Sequence, residues 1–471
     1  MRTLAAGFAL SVLAAGVVEA GAAAAATTPR TMRVDYYHTG SATDERFSLD
    51  RVVVEPLPWP GNPARPIDDT NLGKYFFEVV DRESHRVLYS RGFASIFGEW
   101  QETDEAKSAS RTFSESFRFP TPERPVQIVL KERDAENDFR EVWTTVVDPH
   151  DPFVDTAAPP AAAPLLALQK SGDPAAKVDF LILGDGYTEA ERPKFERDAR
   201  RLMEILFAQS PFKEHRADFN VWGLCPASPE SGISRPSTGV HRRSPVGATY
   251  DAFGSERYVL TFENRAFRDV AQNAPYEFVE ILVNGNTYGG GGIFNLYSTV
   301  AADGVWAPYV FVHEFGHHFA GLADEYYTSD VPTEGRKVEP WEANVTADLE
   351  HLKWRDLVTP GTPLPTPWKK AEFEAYQKDV QARRRQIRKD RKPESVMDDL
   401  FREERAHDTS LLDTGPSAGK VGAFEGAVYH AKGYYRPQSD CIMFTRDEVP
   451  FCAVCRRAIE RVIALYTQGA G

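Results

Sequence analysis

Val312-His313-Glu314-Phe315-Gly316-His317-His318-Phe319-Ala320-Gly321-Leu322-Ala323-Asp324-Glu325-Tyr326 is the stretch on which the reading of this chain turns. Val310 and Phe311 lead into it, so it reads as a buried helix carrying His313 and His317 on one face, with about 6 Å between their Cβ atoms. That spacing lets both imidazoles reach a single Zn²⁺ at about 2.0–2.1 Å. Glu314 directly follows the first of them, where it can take a proton from water held at the ion. His318 points about 100° away from His317 on a helix, which suits a supporting or surface role better than a ligand.

Gly321 interrupts the helical pattern and the acidic pair Asp324-Glu325 follows it. Glycine takes positive φ at a helix C-terminus without penalty, so the chain can swing back and deliver a third ligand from the same segment. Asp324 is the expected ligand, with Glu325 as the alternative. A gluzincin-like arrangement would instead draw its third ligand from a later helix, with Glu339 or Glu342 as candidates. The bland reading of His313 and His317 as satisfied core residues leaves both Glu314 and the glycine-then-acid exit unexplained.

The chain has 471 residues, enough for two domains, and a formal net charge of −14, which argues against nucleic acid or an anionic membrane as partner. Residues 1–26 read as a secretory signal: Arg2, a short apolar run from Leu4 to Val18, then small residues through Ala26. No later apolar run reaches the ~20 residues of a membrane span, so the expected location is periplasmic or extracellular. In such a compartment Cys225, Cys441, Cys452 and Cys455 are expected to form structural disulfides, of unspecified pairing.

Residues 27–150 carry short β-rich runs separated by Gly, Pro, Asp and Asn: Arg33 to Tyr37, Arg51 to Val54, Tyr75 to Val80, Arg86 to Tyr89, Thr112 to Phe119, Val126 to Leu130 and Glu141 to Val147. They predict an antiparallel β-sandwich. Residues 151–173, rich in Pro and Ala, predict a linker or an extended strap. From residue 174 the pattern becomes mixed: a buried strand at Val178 to Leu183, a capping box at Thr188 and Glu191 opening a helix to about Ala208, strands at Phe219 to Leu224 and Phe278 to Val283, and a helix near Asn264 to Ala271. The fold class is therefore α+β, a mixed sheet with an active-site helix behind an antiparallel sandwich.

Asn284 to Thr287 and the glycines Gly289 to Gly292 follow a strand but lack the Gly-Lys-Ser/Thr of a phosphate loop. They fit an edge near the metal where an extended protein or peptide substrate pairs by main-chain hydrogen bonds; a flexible surface loop is the plainer reading. The charged stretch at about 369–412, with Arg383-Arg384-Arg385, reads as a solvated helical insertion, since acids are mixed in and aromatics are sparse. A closing helix is expected at about Phe451 to Tyr466.

Cys441-Ile442-Met443, following the His-Glu-x-x-His and Gly-x-x-Asp segment, resembles the metzincin zinc peptidases. In those enzymes a methionine turn floors the metal, and Met443 matches that position. Here Gly321 and Asp324 stand one residue farther from the second histidine than in the metzincin pattern. The motifs are also similar to those of the secreted family named for an immunoglobulin A peptidase: His313 to His317 running into Leu322 to Tyr326, Glu425-Gly426 before Tyr435-Arg436-Pro437, and Cys441-x-Met443 before Phe451-Cys452-x-Val454-Cys455. The resemblance covers about residues 174–466 and implies a zinc-dependent endopeptidase with a β-rich amino-terminal domain. Tyr435 or Arg436 is the candidate to steady the oxyanion. The competing class is an exported adhesion or carbohydrate-binding protein with a structural metal.

Overall fold

Alternating apolar residues, as at Met32, Val34 and Tyr36, put one face of each early strand inward and build the first half of the molecule. In the computed structural model, which describes residues 28–158, 160–328, 338–415 and 417–469, these strands are β1 (Arg30–Ser41), β2 (Asp44–Pro58), β3 (Tyr75–Asp81), β4 (Val87–Phe93), β5 (Arg111–Pro120), β6 (Val126–Arg133) and β7 (Phe139–Val147). The expected signal segment lies outside the described residues. Sheets β2-β1-β5 and β4-β3-β6-β7 are wholly antiparallel. Between them Phe117 stacks on Tyr36 at 4.4 Å and packs tilted against Phe77 at 4.8 Å. A short helix absent from the sequence expectation, α1 (Ile96–Gln101), follows β4 with Ser95 accepting from Gly98 N–H as its cap.

The second half is organised on one sheet. Its strands are β8 (Leu166–Gln169), β9 (Val178–Asp185), β10 (Phe219–Leu224), β13 (Phe278–Val283), β14 (Gly290–Ile293) and β15 (Tyr297–Ala301), in the order β14-β15-β13-β9-β10-β8. Between β10 and β13 lie the small pair β11 (Ala248–Thr249) and β12 (Leu260–Thr261) and helix α3 (Asn264–Ala271). The four inner strands run parallel and are fully buried, which is why β9 and β13 read as continuous apolar runs; β14 and β8 are antiparallel edges. The Pro/Ala-rich stretch is more than a linker, for β8 lies in it and Asp155 bridges Val53 of β2.

Two helices cover one face of this sheet: α2 (Arg192–Leu206), opened by the Thr188–Glu191 capping box, and α4 (Ala307–Ala320). Phe315 packs on Phe180 at 4.7 Å and Phe319 on Phe278 at 4.4 Å, each buried ring contributing about 1.5–3 kcal/mol. The remaining elements are α5 (Lys370–Lys389), α6 (Glu394–Leu412), β16 (Phe424–Ala427), β17 (His430–Arg436) and α7 (Ala453–Thr467). The α5–α6 hairpin is not merely solvated, as the charge pattern suggested. Phe373, Val380, Met397, Leu400 and Phe401 bury one face of it in the main core. No helix among the described residues is long and apolar enough to cross a membrane.

Sandwich and sheet share a core, in which Phe97, Trp100 and Phe113 pack with Leu181, Leu183 and Tyr250. Their boundary also holds buried ions. Arg33 reaches Asp269 of α3 at 2.6 Å, and Arg118 pairs with Glu55 at 2.8 Å while donating to Tyr276 O at 3.0 Å.

Candidate metal centre

Gly321 ends α4 in the left-handed conformation, φ +56°, with its N–H on His317 O at 3.0 Å and Leu322 N–H on Gly316 O at 3.4 Å. The chain turns back as the glycine predicted and brings Asp324 over the helix. His313 Nε2 and His317 Nε2 are each 3.1 Å from Asp324 Oδ1 and 3.2 Å from one another.

The other ring nitrogens fix the tautomers. His313 Nδ1 lies 2.9 Å from Ile442 O, and His317 Nδ1 faces Leu322 O; each can only donate there. Both Nε2 atoms face the same carboxylate oxygen, a triangle of donors that a bound cation would hold together. Zinc–ligand bonds of about 2.0–2.2 Å at tetrahedral angles give edges of about 3.3–3.5 Å, close to those seen. The electrostatics agree. Burial lowers the His317 pKa, but Asp324 and Glu314 outweigh it and raise it to about 9, while the two imidazoles hold Asp324 well below the usual carboxylate range despite its burial. The site attracts positive charge.

Met443 lies beneath α4, fully buried, where a Cβ on Gly316 would come 3.0 Å from its sulfur. Its turn touches the triangle and the loop after it: Ile442 O takes the His313 hydrogen bond and Met443 O accepts from Glu325 N–H at 2.8 Å. Glu314 lines the open cleft beside the triangle. The glycine run alongside is strand β14, not a loop. A Cβ at Gly290 would meet Val310 Cγ1 at 2.5 Å and Glu314 Cγ at 3.2 Å, and one at Gly292 would overlap the Glu314 carbonyl oxygen. Glycine there lets the strand lie directly on α4. Its outer edge is taken at Gly290, whose N–H donates to Arg257 O and whose C=O accepts from Val259 N–H, both at 3.1 Å.

Several expected roles fall elsewhere. Glu325 points away from the triangle into a buried group with Cys441, Cys452 and Cys455. The four cysteines are free thiols rather than disulfides, and Cys225 stands apart from the other three. Arg436 does not face the cleft. It is fully buried, donates to Gly426 O at 2.9 Å and Ser439 O at 3.2 Å, and lies 3.7 Å from the Phe444 ring. Tyr435 pairs with Glu425 and bridges Thr346, also outside the cleft lining. Glu339 is occupied by Thr346, Ala347 N–H and Lys353. Glu342 borders the cleft but is not among the three clustered donors. His318 is neither surface nor ligand support: fully buried, it accepts from Val279 N–H at 3.0 Å and faces Ile293 O at 3.1 Å, tying α4 to β13 and β14.

Sequence reasoning missed Tyr429. Its hydroxyl donates to Asp324 Oδ2 from the tip of the β16–β17 hairpin, where Val428 and Tyr429 both adopt left-handed backbone, φ +43° and +64°. Val428 N–H on Asp324 O and Tyr429 N–H on Tyr326 O, both 3.1 Å, dock that tip on the loop that carries Asp324. Consecutive left-handed residues without glycine cost about 1–3 kcal/mol each and persist where surrounding contacts hold them; nothing in the local sequence announces them. Glu99, from α1 of the sandwich, also lines the cleft and accepts from Tyr258 Oη at 3.2 Å.

A family model described as IgA Peptidase M64 matches residues 166–463, and one described as Peptidase M64 N-terminus matches residues 24–144. No curated protein matches the chain. The longer match spans the parallel sheet, α4 with its two imidazoles, the Asp324 loop, the Met443 turn and most of α7. The chain belongs to the IgA peptidase M64 family, a family of peptidases.

Proposed function

We propose that the protein is an exported zinc-dependent endopeptidase of metzincin-like organisation, with His313, His317 and Asp324 as the metal ligands and Glu314 as the general base. The observation that carries this reading is the three-atom triangle, with edges of 3.1–3.2 Å, on the floor of an open cleft. A purely structural zinc would have all four positions filled by protein.

Bound zinc would supply Lewis acidity, polarising the scissile carbonyl and bringing water's pKa toward about 7. Glu314 takes the proton of the attacking water and passes it to the leaving amine, a role worth about 10²–10⁴ in rate. The hydrogen bonds from His313 and His317 to main-chain carbonyls keep both Nε2 lone pairs aimed at one point. Met443 fixes the floor beneath α4, as the resemblance implies. The protein or peptide substrate lies extended in the cleft and pairs with the edge of β14 beyond Gly290, which sets its scissile bond beside Glu314. The sandwich, through Glu99, and the α5–α6 hairpin, through Arg384 and Phe401, border the cleft. Export follows from the reading of residues 1–26.

Glu314→Gln is the decisive variant. It is expected to keep its zinc and lose peptide hydrolysis by at least ~10²-fold; full hydrolysis with zinc bound would remove Glu314 from the mechanism.

A further inference from the structure

Outside the cleft lining, Glu325, Cys441, Cys452 and Cys455 converge with their ligand atoms all within 4.8 Å of one another. Cys452 Sγ is 3.4 Å and Cys441 Sγ 3.9 Å from Cys455 Sγ, and Glu325 Oε1 is 3.4 Å from Cys455 Sγ and 3.9 Å from Cys452 Sγ. Zinc–sulfur bonds of about 2.3 Å at tetrahedral angles give edges of about 3.8 Å. A disulfide needs sulfurs about 2.05 Å apart, and pairing two of these thiols would strand the third beside a buried carboxylate.

The surroundings are those of a ligand set. All four residues are at most 4 % exposed. Glu325 Oε1 accepts from Asn344 Nδ2 at 3.0 Å, while its buried Oε2 has no hydrogen-bond partner. An unpartnered buried carboxylate oxygen is costly unless an ion meets it. Main-chain N–H groups already point at the sulfurs: Cys452 N–H at Cys441 Sγ, 3.3 Å, and Cys455 N–H at Cys452 Sγ, 3.5 Å. Such donors stabilise thiolates, as does the amino end of α7, which Cys452 caps. Three thiolates and a carboxylate around a divalent ion leave a net negative site, and buried Arg436, fully enclosed nearby, is a counter-charge.

We propose that Glu325, Cys441, Cys452 and Cys455 form a second, closed zinc site with a structural role. Glu325 adjoins Asp324, Cys441 lies just before Met443, and Cys452 and Cys455 open α7, so one ion would pin the ligand loop, the methionine turn and the last helix together. This goes beyond the peptidase reading and uses none of its ligands.

Zinc content per chain, measured by plasma mass spectrometry on the full mature chain, tests it. Two zinc ions are expected in the unaltered protein and one in each of His317→Ala and Cys441→Ser. Cobalt exchanged into the unaltered protein and into His317→Ala should show thiolate-to-cobalt charge-transfer absorption; this needs no cysteine variant to fold. A single zinc that vanishes in His317→Ala, with no such absorption in the cobalt form, overturns the second site and leaves the peptidase site standing. A Cys452–Cys455 disulfide in freshly purified protein also overturns it. Zinc surviving His317→Ala but lost in Cys441→Ser supports it, whatever becomes of hydrolysis.

Discussion

Tyr429 donates its hydroxyl hydrogen bond to Asp324 Oδ2, the carboxylate oxygen remote from the imidazoles, while Oδ1 lies 3.1 Å from both His313 and His317. The tyrosine thereby holds in place the carboxylate proposed as a metal ligand. Groups that orient metal ligands are worth about 10–100-fold in metal affinity. Tyr429→Phe is expected to weaken zinc binding by that factor with little change in melting temperature of the loaded protein. Competition against a chromogenic chelator measures it, and unchanged affinity would leave Tyr429 without this role.

Gly292 is predicted to be intolerant of any side chain. A Cβ there overlaps the main-chain oxygen of Glu314 and lies 3.0 Å from His317 Cβ, so Gly292→Ala must push β14 off the metal helix. Overpacking of this kind costs about 1–3 kcal/mol. The control is Gly415→Ala, where a Cβ meets nothing within 4 Å. Urea unfolding should separate the two variants, with hydrolysis falling in the first alone. Equal midpoints would mean that the strand does not rest on α4.

Stability should fall toward both pH extremes for two identifiable reasons. Burial pushes His318 down to about 3, below the ~6.5 of an unfolded histidine, so the fold favours its neutral form. That contribution is complete above pH ~6.5 and drains away as pH drops toward 3. Asp408 behaves in the opposite sense: burial, then Glu404 and Asp440, push it up to about 8 from an unfolded value near ~3.9. Its contribution is complete below pH ~3.9 and is lost as pH climbs toward 8. Asp408 faces Gln377 Nε2 of α5 at 2.9 Å, with Glu404, Asp440 and the cation Arg446 nearby. Asp408→Asn is expected to remove a downward slope between pH ~3.9 and 8 from a denaturant-midpoint against pH plot and to leave the region below pH ~3.9 alone; an unchanged slope between those limits would assign that loss to other groups.

The sandwich was legible in the chain because alternation and turn residues are local signals: apart from Arg86, which just precedes β4, every residue of the runs expected between Arg33 and Val147 lies in a strand. Helix α4, its glycine exit and the approach of Asp324 to His313 and His317 were legible for the same reason, since spacing along one turn determines them. What escaped was decided through space. Adjacent acids diverge: Asp324 turns to the imidazoles, but Glu325 turns to the thiols, and no local pattern announces that second destination. Arg436 looked like a cleft cation because it precedes the methionine turn, yet its guanidinium is enclosed by Trp368 and Phe444. The cysteines were read from compartment alone, which says nothing of the carboxylate beside them. The α5–α6 segment looked solvated because its charges outnumber the few apolar residues that bury one face.

The shared packing of Phe97, Trp100 and Phe113 with Leu181, Leu183 and Tyr250 bears on how such an enzyme can be kept silent. A latency peptide is discarded at maturation and must come away from a body that stays folded without it. Cutting after the sandwich would leave those aliphatic and aromatic surfaces facing water and bare the partners of Arg33 and Arg118. The strands before Asp151 are therefore integral to that core, unlike a peptide that comes away cleanly.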